Sequence, residues 1–124
     1  CWGSRKQKSI ALSSCESEIV ALSEAAKEVI YLRKFVRGLV PSLPESPTVL
    51  STDNKAARDL SYNPEHHDRS KHIARRHFFI RDMVEAQEIV VPLVSTEDND
   101  ADFFTKPLPP KRFKMLRRKV MNLR

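Results

Sequence analysis

The chain has 124 residues, 40% of them hydrophobic and 31% charged, with a net charge of +6, which is enough for one modest core and no more. The apolar-rich run 19–40 is broken by Glu24, Lys27, Glu28, Arg33, Lys34 and Arg37, which excludes the ~20 mostly apolar residues of a membrane span. No charged n-region leads into an apolar h-region, so secretion is not expected, and Cys1 and Cys15 show neither metal-ligand spacing nor a disulfide framework, which suits a reducing compartment.

Residues 5–12 run from basic (Arg5, Lys6, Lys8) into Ile10, Ala11 and Leu12 and read as the tail of a strand. Ser13 stands three residues before Glu16, the capping-box pattern of a helix start. That helix should reach about Arg37, with Gly38 near its end and Pro41 beyond it. Leu22, Ala25, Ala26, Val29, Leu32 and Val36 recur at helical spacing and should be buried on one face. A Pro-rich connection over 41–47 leads to a short β-prone run, 48–52, ending at Asp53-Asn54, and a helix over about 55–60 follows. A further helix is predicted over 71–86 through Ile73, Ile80, Met83 and Val84, then a strand over 89–94. Pro92 removes a backbone donor there and argues for an edge position. Residues 95–105 are acidic and predict a turn and a short helix; Pro110 suits the first turn of a last helix carrying Phe113, Leu116 and Val120. Alternating strands and helices indicate an α/β domain.

Charge is unevenly placed. Residues 106–124 carry eight basic residues and no acidic one, and all four histidines lie over 66–77 among Arg69, Lys71, Arg75, Arg76 and, just beyond, Arg81. Such clusters are either the footprint of a phosphate backbone or solvated helix faces. Basic flanks around an acidic centre are what metal-dependent phosphodiester chemistry requires.

Three carboxylates need separate readings. On a wheel of about 100° per residue with Glu18 at zero, Leu22, Ala25, Val29, Leu32 and Val36 fall within about 40°, so Glu18 lies on the axis of the apolar stripe. Glu16 falls about 160° away, beside Ser23, Lys27 and Lys34, on what reads as the polar face. A carboxylate on a buried face is costly unless paired or bound to a metal; the alternative is that Glu18 frays into water and favours the helix dipole. Asp53 ends a strand and precedes a helix, a place where α/β proteins gather ligands, or it is an ordinary N-cap. Asp102 lies among Glu97, Asp98 and Asp100, and spacing does not separate it from a solvated acidic turn. The segment is no EF-hand, lacking the glycine and terminal glutamate. His67, His72 and His77 are spaced by five, which spreads them around a helix and argues against zinc. No phosphate-cradling glycine loop exists, since the chain holds only Gly3 and Gly38.

The stretch Ile10-Ala11-Leu12-Ser13-Ser14-Cys15-Glu16-Ser17-Glu18 resembles the "ALSS-x-E-x-E" segment of the ribonuclease H domain in copia-type retrotransposon polyproteins. Residues 2–8 resemble the family's "SWKSKKQ" lead-in, and residues 21–28 resemble the body of its first helix. Residues 52–57 are similar to "CDNQSA", residues 69–73 to "RTKHI" and residues 101–108 to "ADIFTKPL". The resemblance implies a ribonuclease H-like mixed sheet with flanking helices and hydrolysis of the RNA strand of RNA–DNA hybrids. It implies two Mg²⁺ ions held by acidic residues, here Glu18, Asp53 and Asp102 as metal ligands and catalytic residues. Glu18 matches better than Glu16, because the related pattern sets its glutamate directly before "hydrophobic-x-A-L". Position 74, usually Asp in the family, is Ala74.

The family's first catalytic aspartate lies on a strand upstream of the lead-in, so the chain is expected to be an N-terminally truncated piece, a view that its start at Cys1 also favours. On this reading residues 1–110 form a partial ribonuclease H-like domain and residues 111–124 a basic C-terminal helix or tail. Arg69, Lys71, His72, Lys106, Lys111 and Arg112 are expected to meet nucleic acid. The implied partners are an RNA–DNA hybrid or other nucleic acid, the upstream reverse transcriptase and the absent N-terminal strands, with no membrane. The implied location is cytoplasmic element particles or the nucleus. A competing reading is a domesticated or degenerate basic nucleic-acid-binding remnant without catalysis; a third is a translated fragment with no stable fold.

Overall fold

A computed structural model describes residues 11, 13–42, 46–63 and 71–123, the side chains of 71–73 excepted. The strand tail expected over 5–12 therefore lies outside the described residues, save Ala11, which belongs to no element. The elements run α1 (Ser14–Leu39), β1 (Thr48–Val49), α2 (Lys55–Tyr62), α3 (Lys71–Glu85), β2 (Ile89–Val90), α4 (Asp102–Thr105) and α5 (Pro110–Val120). They divide into two compact units, Cys1–Leu93 and Val94–Arg124. The division falls before the acidic turn, not at residue 110, because α5 is tied to that turn by ion pairs described below.

In the first unit, Ser13 caps α1 as its sequence implies, its hydroxyl accepting from the Glu16 amide at 3.2 Å. The buried face of α1 is not the one the wheel picks out. Ile19, Leu22, Ser23 and Ala26 are buried, whereas Leu32 and Val36 are 49% and 37% exposed. With Glu18 at zero, the buried residues centre near about 100°. The cause is α3, which packs against α1 and anchors there as Arg76 donates to the Ser23 hydroxyl at 2.7 Å. Two expectations fall together: Ser23 is fully buried, and Glu16, at 7% exposure, does not face solvent. Glu16 lies on the side that α3 covers, and as a first-turn side chain it is directed back towards the helix entry.

The core joins Ile19, Leu22 and Ala26 of α1, Ala57 of α2, Ile80 and Val84 of α3, and Ile89 and Val91 at β2. Two buried hydroxyls are satisfied within their own helices, Ser23 on the Val20 carbonyl and Ser61 on the Ala57 carbonyl. His77 bonds the Leu60 carbonyl and ties α3 to α2. α3 ends with Gln87 at a φ of 57°, while Glu88 and Gln87 donate back to Met83 and Val84 at 3.0 Å each. This is the reversal that usually employs glycine.

β1 and β2 pair in parallel, Thr48 opposite Ile89 and Val49 opposite Val90, with a further isolated bridge between Thr52 and Leu93. The amides of Thr48, Leu50 and Thr52 donate to Glu88, Val90 and Pro92. Pro92 thus sits on the paired side of its strand, where its missing N–H interrupts the ladder and keeps the regular pairing short. Backbone alternation turns Val49 and Ser51 to the other edge of β1, where the described residues place no strand. The far edge of β2 is different: the Val91 amide donates to the Tyr62 hydroxyl at 3.0 Å.

A clamp of charges holds the start of both strands. Arg33 donates to Glu88 at 2.6 Å, to the Ser46 carbonyl at 2.8 Å and to the Thr48 hydroxyl at 3.0 Å, and Arg37 reaches Glu88 at 3.2 Å. Burial pushes the Glu88 carboxyl up, but the hydrogen bonds and charges of Arg33 and Arg37 outweigh it and hold it below the usual carboxylate range.

In the second unit, α5 starts on Pro110, and its inner face carries the buried Leu116, with Phe113 stacked on Phe103 of α4 at 5.1 Å. Among the described residues no helix is long and apolar enough to cross a membrane.

Candidate carboxylate site and basic surfaces

The end of the first strand meets the first turns of α1 through a hydroxyl. Thr52, 2% exposed, donates to Glu18 Oε2 at 3.2 Å and accepts from the Asn54 amide at 3.2 Å. Glu18 is half-buried at the margin of the α1 packing face. Asp53, also half-buried, follows Thr52 directly, so Glu18 and the strand end that carries Asp53 are brought together. The ordinary N-cap reading of Asp53 does not apply, because Asn54 caps α2, its Oδ1 accepting from Ala57 at 3.1 Å. Among the described residues, neither carboxylate is spent on an ion pair. Thr52 was not singled out by the sequence reading; its only signal was a β-branched hydroxyl just before Asp53.

Asp102 stands in the second unit, and its environment is specific. It is 2% exposed, with Lys106 at 2.7 Å and Arg112 at 3.0 Å on its two oxygens. Arg112 also donates to the carbonyls of Thr96 at 2.6 Å and Glu97 at 3.3 Å. The neighbours differ: Asp98 accepts from Ser95 at 2.8 Å, and Asp100 pairs with Lys119 at 2.8 Å. The acidic segment is therefore no uniform solvated turn, and Asp102 is its buried member. The i,i+4 spacing of Asp102 and Lys106 was the available sequence signal.

Hard oxygen donors such as Glu18 and Asp53 suit Mg²⁺. Among the described residues, however, no three His, Cys, Asp or Glu side chains stand close enough to hold a metal ion, and Asp102 is already neutralised by two cations. The described residues do not make a complete metal site.

The two basic clusters separate in character. Arg69, His66 and His67 lie outside the described residues, as do the side chains of Lys71 and His72. Of the remainder, Arg76 is held by Ser23 and Glu24, and Arg81 by Glu85 at 3.4 Å and by the Phe78 ring at 5.1 Å. Within α5, the half-buried Arg112 pairs with Asp102 and the exposed Lys119 with Asp100, while Lys111, Lys114, Arg117 and Arg118 are exposed and pair with no acidic side chain among the described residues.

No family model matches the chain, and no solved structure matches it. It is 39% identical over 119 residues to the retrovirus-related Pol polyprotein from transposon TNT 1-94 of Nicotiana tabacum, covering 96% of this chain and 9% of that protein. It is 37% identical over 119 residues to the Pol polyprotein from transposon RE2 of Arabidopsis thaliana, covering 96% and 8%. To the transposon Ty1-NL2 Gag-Pol polyprotein of Saccharomyces cerevisiae it is 34% identical over 120 residues, covering 94% and 7%. The chain spans less than a tenth of the length of these curated relatives. Its homologues are retrotransposon Pol polyproteins, and it corresponds to a short segment of them.

Proposed function

We propose that this Pol segment is the C-terminal part of a ribonuclease H region, which hydrolyses the RNA strand of RNA–DNA hybrids once the rest of the domain is present. The observation that carries the reading is the Thr52 hydroxyl, which binds Glu18 against the strand end bearing Asp53. Two carboxylates on adjacent elements, neither paired with a cation among the described residues, would supply part of an acidic site. The homology to Pol polyproteins supports the same reading. The fold proposed with it is a ribonuclease H-like mixed sheet, in which a strand from elsewhere in the polyprotein pairs with the open edge of β1. In the complete domain Glu18 and Asp53 would help to hold Mg²⁺, whose contribution there would be Lewis-acid chemistry on water and phosphate oxygens. Glu18 and Asp53 would face that site; Asp102, in the second unit, is engaged by Lys106 and Arg112. The proposed partners are the hybrid, met by Lys71, His72, Arg69 and the basic residues after 105, and the upstream reverse transcriptase.

The test compares the 124-residue chain with a longer Pol polypeptide extended upstream, each given a labelled hybrid and Mg²⁺. The chain alone should leave the hybrid intact, and the longer polypeptide should cleave it. In the latter, Glu18→Gln and Asp53→Asn should each lower cleavage by at least about a hundredfold, as loss of a charge-stabilising group does. Glu16→Gln should keep most of it. Cleavage that survives both Glu18→Gln and Asp53→Asn would remove the two carboxylates from the site, and a longer polypeptide that binds the hybrid without cleaving it would leave the remnant reading, a basic nucleic-acid-binding segment without catalysis.

A further inference from the structure

α5 divides its own charges. On a wheel with Lys111 at zero, Lys114 and Arg118 fall within about 60° on one side, with Arg117 flanking them. Arg112, Leu116 and Lys119 fall about 80–140° to the other side, where Arg112 and Lys119 meet Asp102 and Asp100 and Leu116 is buried. None of the four outer cations has an ion-pair or hydrogen-bonded side-chain partner among the described residues.

Helix electrostatics accounts for only part of this. Arg117, Arg118 and Lys119 occupy the last turn, where cations complement the negative end of the dipole. Lys111 is in the first turn, which holds no acidic residue, so it faces the positive end. Lys111 and Lys114 are one turn apart, as are Lys114 and Arg118, and like charges at that spacing repel. The outer face is thus a row of mutually repelling cations that no acidic side chain among the described residues neutralises. A polyanion with closely spaced charges would.

We propose that the outer face of α5, formed by Lys111, Lys114, Arg117 and Arg118, docks on the phosphate backbone of a nucleic-acid duplex, independently of base sequence. Arg112 and Lys119 serve only to hold the helix to the acidic turn that presents this face. The proposal extends the ribonuclease H reading by naming a binding face, and it needs neither Glu18 nor Asp53. Backbone docking follows from the arrangement: four cations at regular spacing along one helix face suit a repeating phosphate.

The experiment titrates the full 124-residue chain into a labelled DNA duplex without divalent metal, across a range of salt. Lys111→Gln/Lys114→Gln/Arg118→Gln should weaken binding roughly tenfold or more at low salt and flatten the log–log salt slope by about three. Lys27→Gln/Lys34→Gln/Lys55→Gln removes the same formal charge from the first unit and should change affinity less than about twofold. Equal helical circular dichroism of both triple variants shows that the comparison is between folded proteins. Equal weakening by the two triples would overturn the proposal, leaving only net charge. Binding to phosphatidylserine vesicles without binding to duplex would overturn it in favour of a membrane surface. Because duplex DNA binding is read without metal, hybrid cleavage can fail while this holds, and the reverse.

Discussion

Asp102 shows how much a single side chain can differ from its neighbours of the same type. Four acidic residues crowd the six positions 97–102, yet one is buried between Lys106 and Arg112 while the others cap a turn or stay near water. Removing its charge leaves Arg112, itself 28% exposed, without its carboxylate partner. Asp102→Asn should therefore lower the stability of the second unit by about 1–3 kcal/mol, the usual range for a lost hydrogen bond to a charged group. Urea unfolding followed through that unit measures it. An unchanged midpoint would mean the pair contributes nothing, and any effect of the same variant on cleavage could then be read as catalytic. Sequence resolved this residue poorly because its burial depends on where α5 returns, and Arg112 lies ten positions away.

At the level of elements, helices and turns were legible because their signals are local. Ser13 caps α1, Pro110 opens α5, and the α2 and α3 spans agree with their patterns to within two residues. The face that α1 buries was not legible. Its apolar repeat continues through Leu32 and Val36, but packing is decided by α3, which prefers Ile19, Ser23 and Ala26. The proposed site was half legible: Glu18 and Asp53 stood out, while Thr52 between them did not. The Arg33–Glu88–Arg37 clamp was invisible too, joining residues 55 positions apart. It makes a pH prediction. The folded Glu88 carboxyl lies below its ordinary value of 4.5, so the clamp's stabilisation is fully present above that value and is lost as pH falls through the lower folded one. Below about pH 4.5 the native protein should lose stability more steeply than Glu88→Gln. At neutral pH the variant should be less stable by about 1–2 kcal/mol, since Arg33 loses a charged acceptor. Chemical denaturation at stepped pH values checks both; parallel acid limbs would contradict the clamp.

At the scale of the whole molecule, the surface carries an apolar stripe that the described residues leave uncovered. Tyr31, Leu32, Phe35 and Leu39 lie on one side of the second half of α1, and each is exposed. Contiguous patches of this kind mark interaction surfaces. The 124-residue chain should accordingly show concentration-dependent association, measurable by sedimentation. Leu32→Gln with Phe35→Gln should abolish it while shifting the unfolding midpoint by no more than about 0.5 kcal/mol, as expected of surface substitutions. A double variant that unfolds would show that the stripe is part of the core. The sequence marked these residues as apolar and implied that Leu32 was inside; the helix turns Ile19, Leu22 and Ala26 to the core instead.

The hydroxyl of Tyr62 on the Val91 amide has a consequence in the arithmetic of polymers. A sheet with two open edges is a bifunctional monomer: each molecule that adds by strand pairing presents a new edge, and the process can run on into a fibre. Among the described residues, the far edge of β2 already has a hydrogen bond from within the chain at Val91, and the Val49–Ser51 side of β1 is the edge that carries no strand. The described sheet is in that sense monofunctional: pairing through the β1 edge ends after one addition, whether the incoming strand belongs to the same polyprotein or to a second copy, and the Tyr62 hydroxyl caps the other side.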